Sequence, residues 1–257
     1  MRLKNFFKYL QSKSDPMLSF LAKINDYGFL DKVYSFLENL KNKSKTQTTN
    51  FKRIEIKNSD NSTWVCFLPW RVSFKEAKKI GLIPKRGRVL VYEIPGNLIN
   101  PNPSVAKNLL RKVFEDITSL NLKNFNVLAY SAGTYPGFFV ANHLNAKKMV
   151  AVAPGSELGN FYDSIATSKI KQKAIQLGYK NSTEYNNCLK ETNPIANLEN
   201  LPDDIEIHLP SHDLYIPTKF GEKLVYQLRK YKTPKIVRYK NKGHILTLIK
   251  FGQNNPF

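Results

Sequence analysis

The stretch Phe125-Asn126-Val127-Leu128-Ala129-Tyr130-Ser131-Ala132-Gly133 decides how the rest of the chain is read. Residues 125–130 form a short apolar run of strand length. Residues 132–144 then have the small and apolar composition of a buried helix. Ser131 stands at the join, with Ala129 two positions before it and Gly133 two positions after it. A chain that reverses from strand to helix so sharply has no room for bulky side chains at those two places. The free N–H groups and dipole of the following helix point at the serine and favour negative charge there. Taken alone, a serine between small residues also fits a plain helix N-cap. Its place directly after a buried-type strand is what gives it chemical interest. Pro136, five residues on, is expected to bend the helix.

Outward from this turn, apolar runs alternate with helical patterns. Residues 51–57 alternate apolar and polar, as an edge strand does. Residues 64–68, 89–94 and 148–153 are further short apolar runs, 205–209 and 235–239 complete the set of strands, and 103–120 carries Val105, Leu109, Leu110, Val113, Phe114 and Ile117 at helical spacing. Strands separated by helices predict a mostly parallel central sheet flanked by helices on both faces. Ligands of such sheets bind at the carboxyl ends of the strands. The residues just past each strand are therefore the candidates for function. The chain has no internal repeat and no glycine-rich phosphate loop.

Two such places hold titratable residues. Pro210-Ser211-His212-Asp213-Leu214-Tyr215-Ile216-Pro217 comes after the run at 205–209, and Lys242-Gly243-His244 comes after the run at 235–239. Asp213 suits an acid on the reactive face, and it equally suits a cap for a helix starting near Pro217. Gly243 is expected to let the loop bring the His244 imidazole back over the sheet. The order serine, acid, histidine is that of a nucleophilic site on an α/β scaffold. Asp163 and Asp203 are the acids to turn to if Asp213 points elsewhere. His143 is read as a late-helix residue, His208 as a buried strand histidine and His212 as a neighbour of Asp213 without a separate role. No group of Cys, His and carboxylate residues has the spacing of metal ligands, so no metal and no cofactor are expected.

Taken together, the region from about residue 60 to 250 resembles the α/β-hydrolase superfamily. The resemblance rests on Ala129-x-Ser131-x-Gly133, on the segment Pro210-x-x-Asp213-x-x-Ile216-Pro217, on the late Gly243-His244, and on Asn193-Pro194-Ile195-Ala196-Asn197-Leu198 before the acid-bearing strand. It implies an α/β-hydrolase fold with Ser131 as nucleophile, Asp213 as acid and His244 as base. It also implies an oxyanion hole formed by the backbone N–H groups of Ala132 and Asn97, the latter in Pro95-Gly96-Asn97. The chain departs from the family pattern where Ala129 and Pro210 replace glycines and where Pro95-Gly96 replaces the usual His-Gly. Residues 155–192 are positioned to form a helical lid. Its Phe161, Tyr162, Ile165, Ile170, Ile175, Leu177 and Tyr185 either face an acyl group or form a small core of their own.

Composition bounds the remainder. A chain of 257 residues with 42% hydrophobic residues suits one domain with a sizeable core and argues against disorder. Its apolar runs are too short for a membrane span. Cys66 and Cys188 read as two reduced thiols. The basic start Met1-Arg2-Leu3-Lys4 mimics a signal peptide, but Lys8, Gln11, Lys13 and Asp15 interrupt the apolar stretch after it, so a cytoplasmic protein is expected. Residues 1–50 read as a basic helical extension to a hydrolase domain at 51–257. Leu3, Phe6, Phe7 and Leu10 form one apolar face, and Phe29, Val33, Phe36, Leu37 and Leu40 form another, with 41–50 as a linker. A net charge of +20 attracts anionic lipid or polyanions. It is spread along the chain with no nucleic-acid motif, so no specific nucleic acid is expected. Two functions fit these features. One is a serine hydrolase acting on a small-molecule ester or thioester through an acyl-enzyme, with a peripheral contact to anionic membrane open to it. The other is a non-catalytic or weakly active protein of the same fold that binds anionic membrane or nucleic acid.

Overall fold

The central strand of the sheet is β4 (Phe125–Tyr130), the strand that delivers Ser131. The computed structural model describes residues 25–33, 35 and 50–257. Around β4 lie β1 (Lys52–Lys57), β2 (Thr63–Phe67), β3 (Arg88–Glu93), β5 (Lys148–Val152), β6 (Asp204–Pro210) and β7 (Lys235–Tyr239). Their order across the sheet is β1-β3-β2-β4-β5-β6-β7. All neighbours run parallel except β1, which pairs antiparallel with β3 at one edge. Each apolar run read as a strand is one, to within a residue at either end. The fold class is therefore as expected, a mostly parallel sheet between helices.

The strands separate two cores because successive side chains point to opposite faces. Val65, Phe67, Leu90, Tyr92, Val127, Ala129 and Ala151 face α2 (Pro103–Ser119) and α3 (Thr134–His143). Trp64, Cys66, Val89, Val91, Leu128, Tyr130, Val150 and Val152 face the other side, where Ala77, Leu82, Leu248 and Phe251 cover them. Ala77 belongs to α1 (Phe74–Lys79), a short helix with a reciprocal N-terminal box. Ser73 accepts from the N–H of Glu76, and the Glu76 carboxylate accepts from the N–H of Ser73. Ser-x-x-Glu is the pattern of such a box.

Helix α3 differs from its expectation. Residues 131–133 form a 3-10 turn, and the α-helix proper starts at Thr134. Pro136 is thus in the first turn of α3, where a missing N–H breaks no helical hydrogen bond.

Between β5 and β6 lie a 3-10 turn (Leu158–Asp163), α4 (Ser168–Gln176) and α5 (Ser182–Asn187). Phe161 stacks on Tyr162 and meets Tyr185 edge-on, and all three are buried. Tyr185 donates to the Asn100 carbonyl, and the Tyr135 and Thr192 hydroxyls lie 2.7 Å apart. These aromatics of the insertion therefore belong to a structural core continuous with that of α3. Ile175 and Leu177 are exposed. The chain closes with α6 (Thr218–Leu228) and α7 (His244–Gln253).

Most of the extension expected at 1–50 lies outside the described residues, as do its first apolar face and most of its linker. The described part departs from expectation. Phe29 and Val33 are 64% and 37% exposed, whereas Asp31 is 0% exposed and Ser35 is buried too. The face that packs here is the polar one. No helix among the described residues is long and apolar enough to cross a membrane.

Candidate active site

The turn at Ser131 is built by close packing on both sides. A side chain at residue 133 would come within 2.5 Å of the Leu68 carbonyl and 2.8 Å of that of Phe67, at the end of β2. Gly133 is therefore required for β2 to pass so near. Ala129 is small for a matching reason: its Cβ lies only 2.5 Å from where one would stand on Gly137, so α3 presses directly on β4. Confined in this way, Ser131 adopts a φ of 52°, a region that costs a residue with a side chain free energy.

The structure brings together three side chains from three strand ends. The Ser131 hydroxyl lies 2.8 Å from His244 Nε2, and His244 Nδ1 lies 2.7 Å from Asp213 Oδ2. All three residues are buried. The carboxylate can only accept, so Nδ1 carries the proton and Nε2 is left to accept from the serine. Burial pulls the imidazole pKa down. The charge and hydrogen bond of Asp213, with the charge of Asp31 behind them, outweigh it, and the net direction is up from 6.5. The Tyr215 ring stacks on the imidazole, 5.4 Å between centroids.

Asp213 stands beside the imidazole but does not cap α6, whose N-cap is Pro217 with no side-chain cap. One oxygen meets His244, and the other accepts from the N–H groups of Tyr215 and Ile216, fixing the turn that leads into α6. The reserve acids are engaged elsewhere, Asp163 with Lys219 and Asp203 with Lys232. His143 sits 2.9 Å from the Phe139 carbonyl, and His212 pairs with the Ser211 hydroxyl. His208 is hydrogen-bonded to the Tyr239 hydroxyl, and burial pushes its pKa down to about 4, so it stays neutral. Among the described residues no cluster of three His, Cys, Asp or Glu is placed to hold a metal ion.

The two expected oxyanion donors stand differently. Ala132 directly follows Ser131 in the 3-10 turn. Asn97 comes after β3, and β2 stands between β3 and β4. The strand-end loop beside the serine turn is instead the one leaving β2, at Leu68 to Val72. Its turn closes through Val72 N–H to the Pro69 carbonyl, with Arg71 at a φ of 61°. The Trp70 indole donates to the Gly96 carbonyl and ties the two loops together. Sequence reading could not see this, because nothing local told it that β2, not β3, would lie next to β4.

Sequence reading also missed two acids. Gly243, the N-cap of α7, has no side chain to cap it. Asp31 does so instead. It accepts from the N–H groups of His244 (2.9 Å), Ile245 (3.0 Å) and Leu214 (3.2 Å). Asp26 accepts from the N–H of Gly243 (2.9 Å). Gly243 has an ordinary φ of −79°. The reason for a glycine is therefore close approach and not the expected loop reversal: a Cβ there would meet Gly28 Cα at 2.7 Å and Asp31 Oδ2 at 2.8 Å.

No protein-family model and no curated protein matches the sequence. Solved structures do match in shape. A capsule O-acetyltransferase of Neisseria meningitidis serogroup A is similar with a TM-score of 0.57 at 13% identity, over 84% of this chain and 95% of that one. A lipase-esterase related protein of Clostridium acetobutylicum gives 0.54 at 13% identity, over 80% and 96%. An alpha/beta superfamily hydrolase of Oenococcus oeni gives 0.52 at 12% identity, over 83% and 96%. With its sheet order, its strained serine turn and these likenesses, the chain has the α/β-hydrolase fold.

Proposed function

We propose that this protein is a serine hydrolase that cleaves a carboxylic ester or thioester through an acyl-enzyme on Ser131. The observation that carries the reading is the unbroken buried chain from hydroxyl to imidazole to carboxylate, with links of 2.8 Å and 2.7 Å. Ser131 Oγ attacks the substrate carbonyl carbon while His244 Nε2 takes its proton. Asp213 holds the imidazole in the required tautomer and balances its charge. The tetrahedral oxyanion collapses, His244 returns the proton to the leaving oxygen or sulfur, and the C–O or C–S bond breaks. A water, deprotonated by His244 in turn, then releases the acid and restores Ser131.

The oxyanion needs two donors, each worth roughly 3 kcal/mol in the transition state. One is the Ala132 N–H. The other is proposed in the turn Pro69–Val72 and not at Asn97, because β2, which feeds that turn, is the direct neighbour of β4. The insertion between β5 and β6 is proposed to border the acyl group, with the exposed Ile175 and Leu177 as its free apolar side chains.

The test is labelling with a fluorophosphonate probe followed by hydrolysis of esters and thioesters of increasing acyl length. Wild type should label at Ser131, and Ser131→Ala should neither label nor turn over. An unlabelled wild type that binds anionic vesicles or nucleic acid tightly would replace this reading with the non-catalytic one.

A further inference from the structure

A surface helical segment ordinarily packs by its apolar face. The segment at 25–33 does the reverse: Phe29 and Val33 point outward, and Asp26 and Asp31 are buried. What the two acids meet is backbone. The first N–H groups of a helix lack intrahelical partners. In α7 those of His244 and Ile245 are taken up by Asp31, which comes from 213 positions upstream of the histidine. The same carboxylate accepts from Leu214, the residue after Asp213. One side chain thus ties together the loops that carry the base and the acid. The contact is close by construction. A Cβ on Gly28 (φ 82°) would come within 2.7 Å of the His212 carbonyl, and one on Gly243 would strike both Gly28 and Asp31. The ring of Tyr27 meets His212 edge-on, and the N–H groups of Asp26 and Tyr27 reach the Asn241 carbonyl.

We infer that Asp31 is a positioning residue for His244, fixing the placement and the charge of the imidazole through the start of α7, so that the N-terminal segment is part of the active-site scaffold. As a role in catalysis this rests on the reading of His244 as the base. His244 is the first residue of α7, so any tilt of that first turn moves Nε2 relative to Ser131. The loop has no side-chain cap of its own to resist the tilt. A buried carboxylate at a helix N-terminus also supplies negative charge behind the imidazolium that forms during the reaction. The titratable groups facing His244 are Asp213 from the β6–α6 loop, Asp31 from the N-terminal segment and Tyr215 beside the ring. Those facing Asp31 are His244 and Asp213, and burial raises its own pKa to about 6.

The test uses the full-length chain with Asp31→Asn and Asp31→Ala. Asparagine keeps the shape, loses the charge and offers one oxygen where there were two. The His244 imidazole is titrated by NMR on a Ser131→Ala background, and fluorophosphonate labelling rates are measured with Ser131 intact. Asp31→Asn should lower the His244 pKa by about one pH unit. Asp31→Ala, with its circular dichroism unchanged, should label on the order of 10²-fold more slowly, as a misplaced base does. An unshifted His244 titration in Asp31→Asn overturns the inference, and so does wild-type labelling in folded Asp31→Ala. Should Asp31→Ala fail to fold, the asparagine titration decides alone. Should wild type itself fail to label, the hydrolase reading falls, while the titration still decides whether Asp31 governs His244.

Discussion

Ser131 sits in a turn built largely from its own neighbours and the end of β2, whereas His244, 2.8 Å away, is held by carboxylates from the far end of the chain. The serine turn is local. Ala129, Gly133 and Gly137 lie within nine residues, and each is small because something specific occupies the space a side chain would need. Strand β4 and helix α3 then force the backbone of Ser131 into its positive φ. The histidine loop takes its close contacts from a distant segment, Gly243 against Gly28 and Asp31. It leads into a helix with no side-chain cap of its own and is completed only when Asp31 and Asp26 dock on it. A serine hydroxyl can thus be aimed by strain stored in one short segment. The imidazole, by contrast, is aimed by hydrogen bonds that exist only after distant parts of the chain have met.

After loss of the Ser131 hydroxyl itself, the largest effect should come from breaking the histidine side directly. His244→Ala should lower turnover of an activated ester by a factor on the order of 10³ or more, since residues of such a relay act as a unit. Steady-state kinetics on an aryl ester checks this, and near-normal turnover would detach the histidine from the chemistry. A smaller effect sharpens the electrostatic half of the contrast. Only the neutral imidazole can accept the Ser131 proton. Because its pKa is raised, kcat/KM should fall about tenfold per pH unit below a midpoint that lies above pH 6.5. A pH–rate profile gives that midpoint. The sign for stability is opposite: the protonated, Asp213-paired imidazole favours the fold below pH 6.5, and that contribution is lost as pH rises through the raised pKa.

The smallest effect tests the strain on the serine side. Ser131→Gly and Ser131→Ala both remove the hydroxyl, but only glycine takes a φ of 52° without cost. Urea denaturation should find the glycine variant more stable by about 1 kcal/mol. Equal stabilities would mean that the turn carries no strain and that the contrast with the histidine loop is one of degree.

The elements that the sequence declared well were those governed by short-range patterns. Strands β2 to β5 were legible because they are buried on both faces and so read as mostly apolar runs. Ser131 was legible because steric crowding writes small residues at fixed offsets. Asp213 and His244 were legible because each stands just past a strand of the sheet. Asp31 was not legible, since an acid on a helical stretch ordinarily faces water.

What the sequence by itself determined, then, is the set of strands, the serine turn and the order of the three polar residues, because period, steric size and strand-end position act over a few residues. What only the tertiary structure decided is which strands became neighbours and what lies behind the histidine. The turn leaving β2 borders Ser131 because β2 pairs with β4. The α7 N-terminus is capped from residue 31 because two glycines let the backbones close to contact. Hydrogen bonds across 213 positions leave no local trace, since each partner is an ordinary residue until the fold brings the other to it.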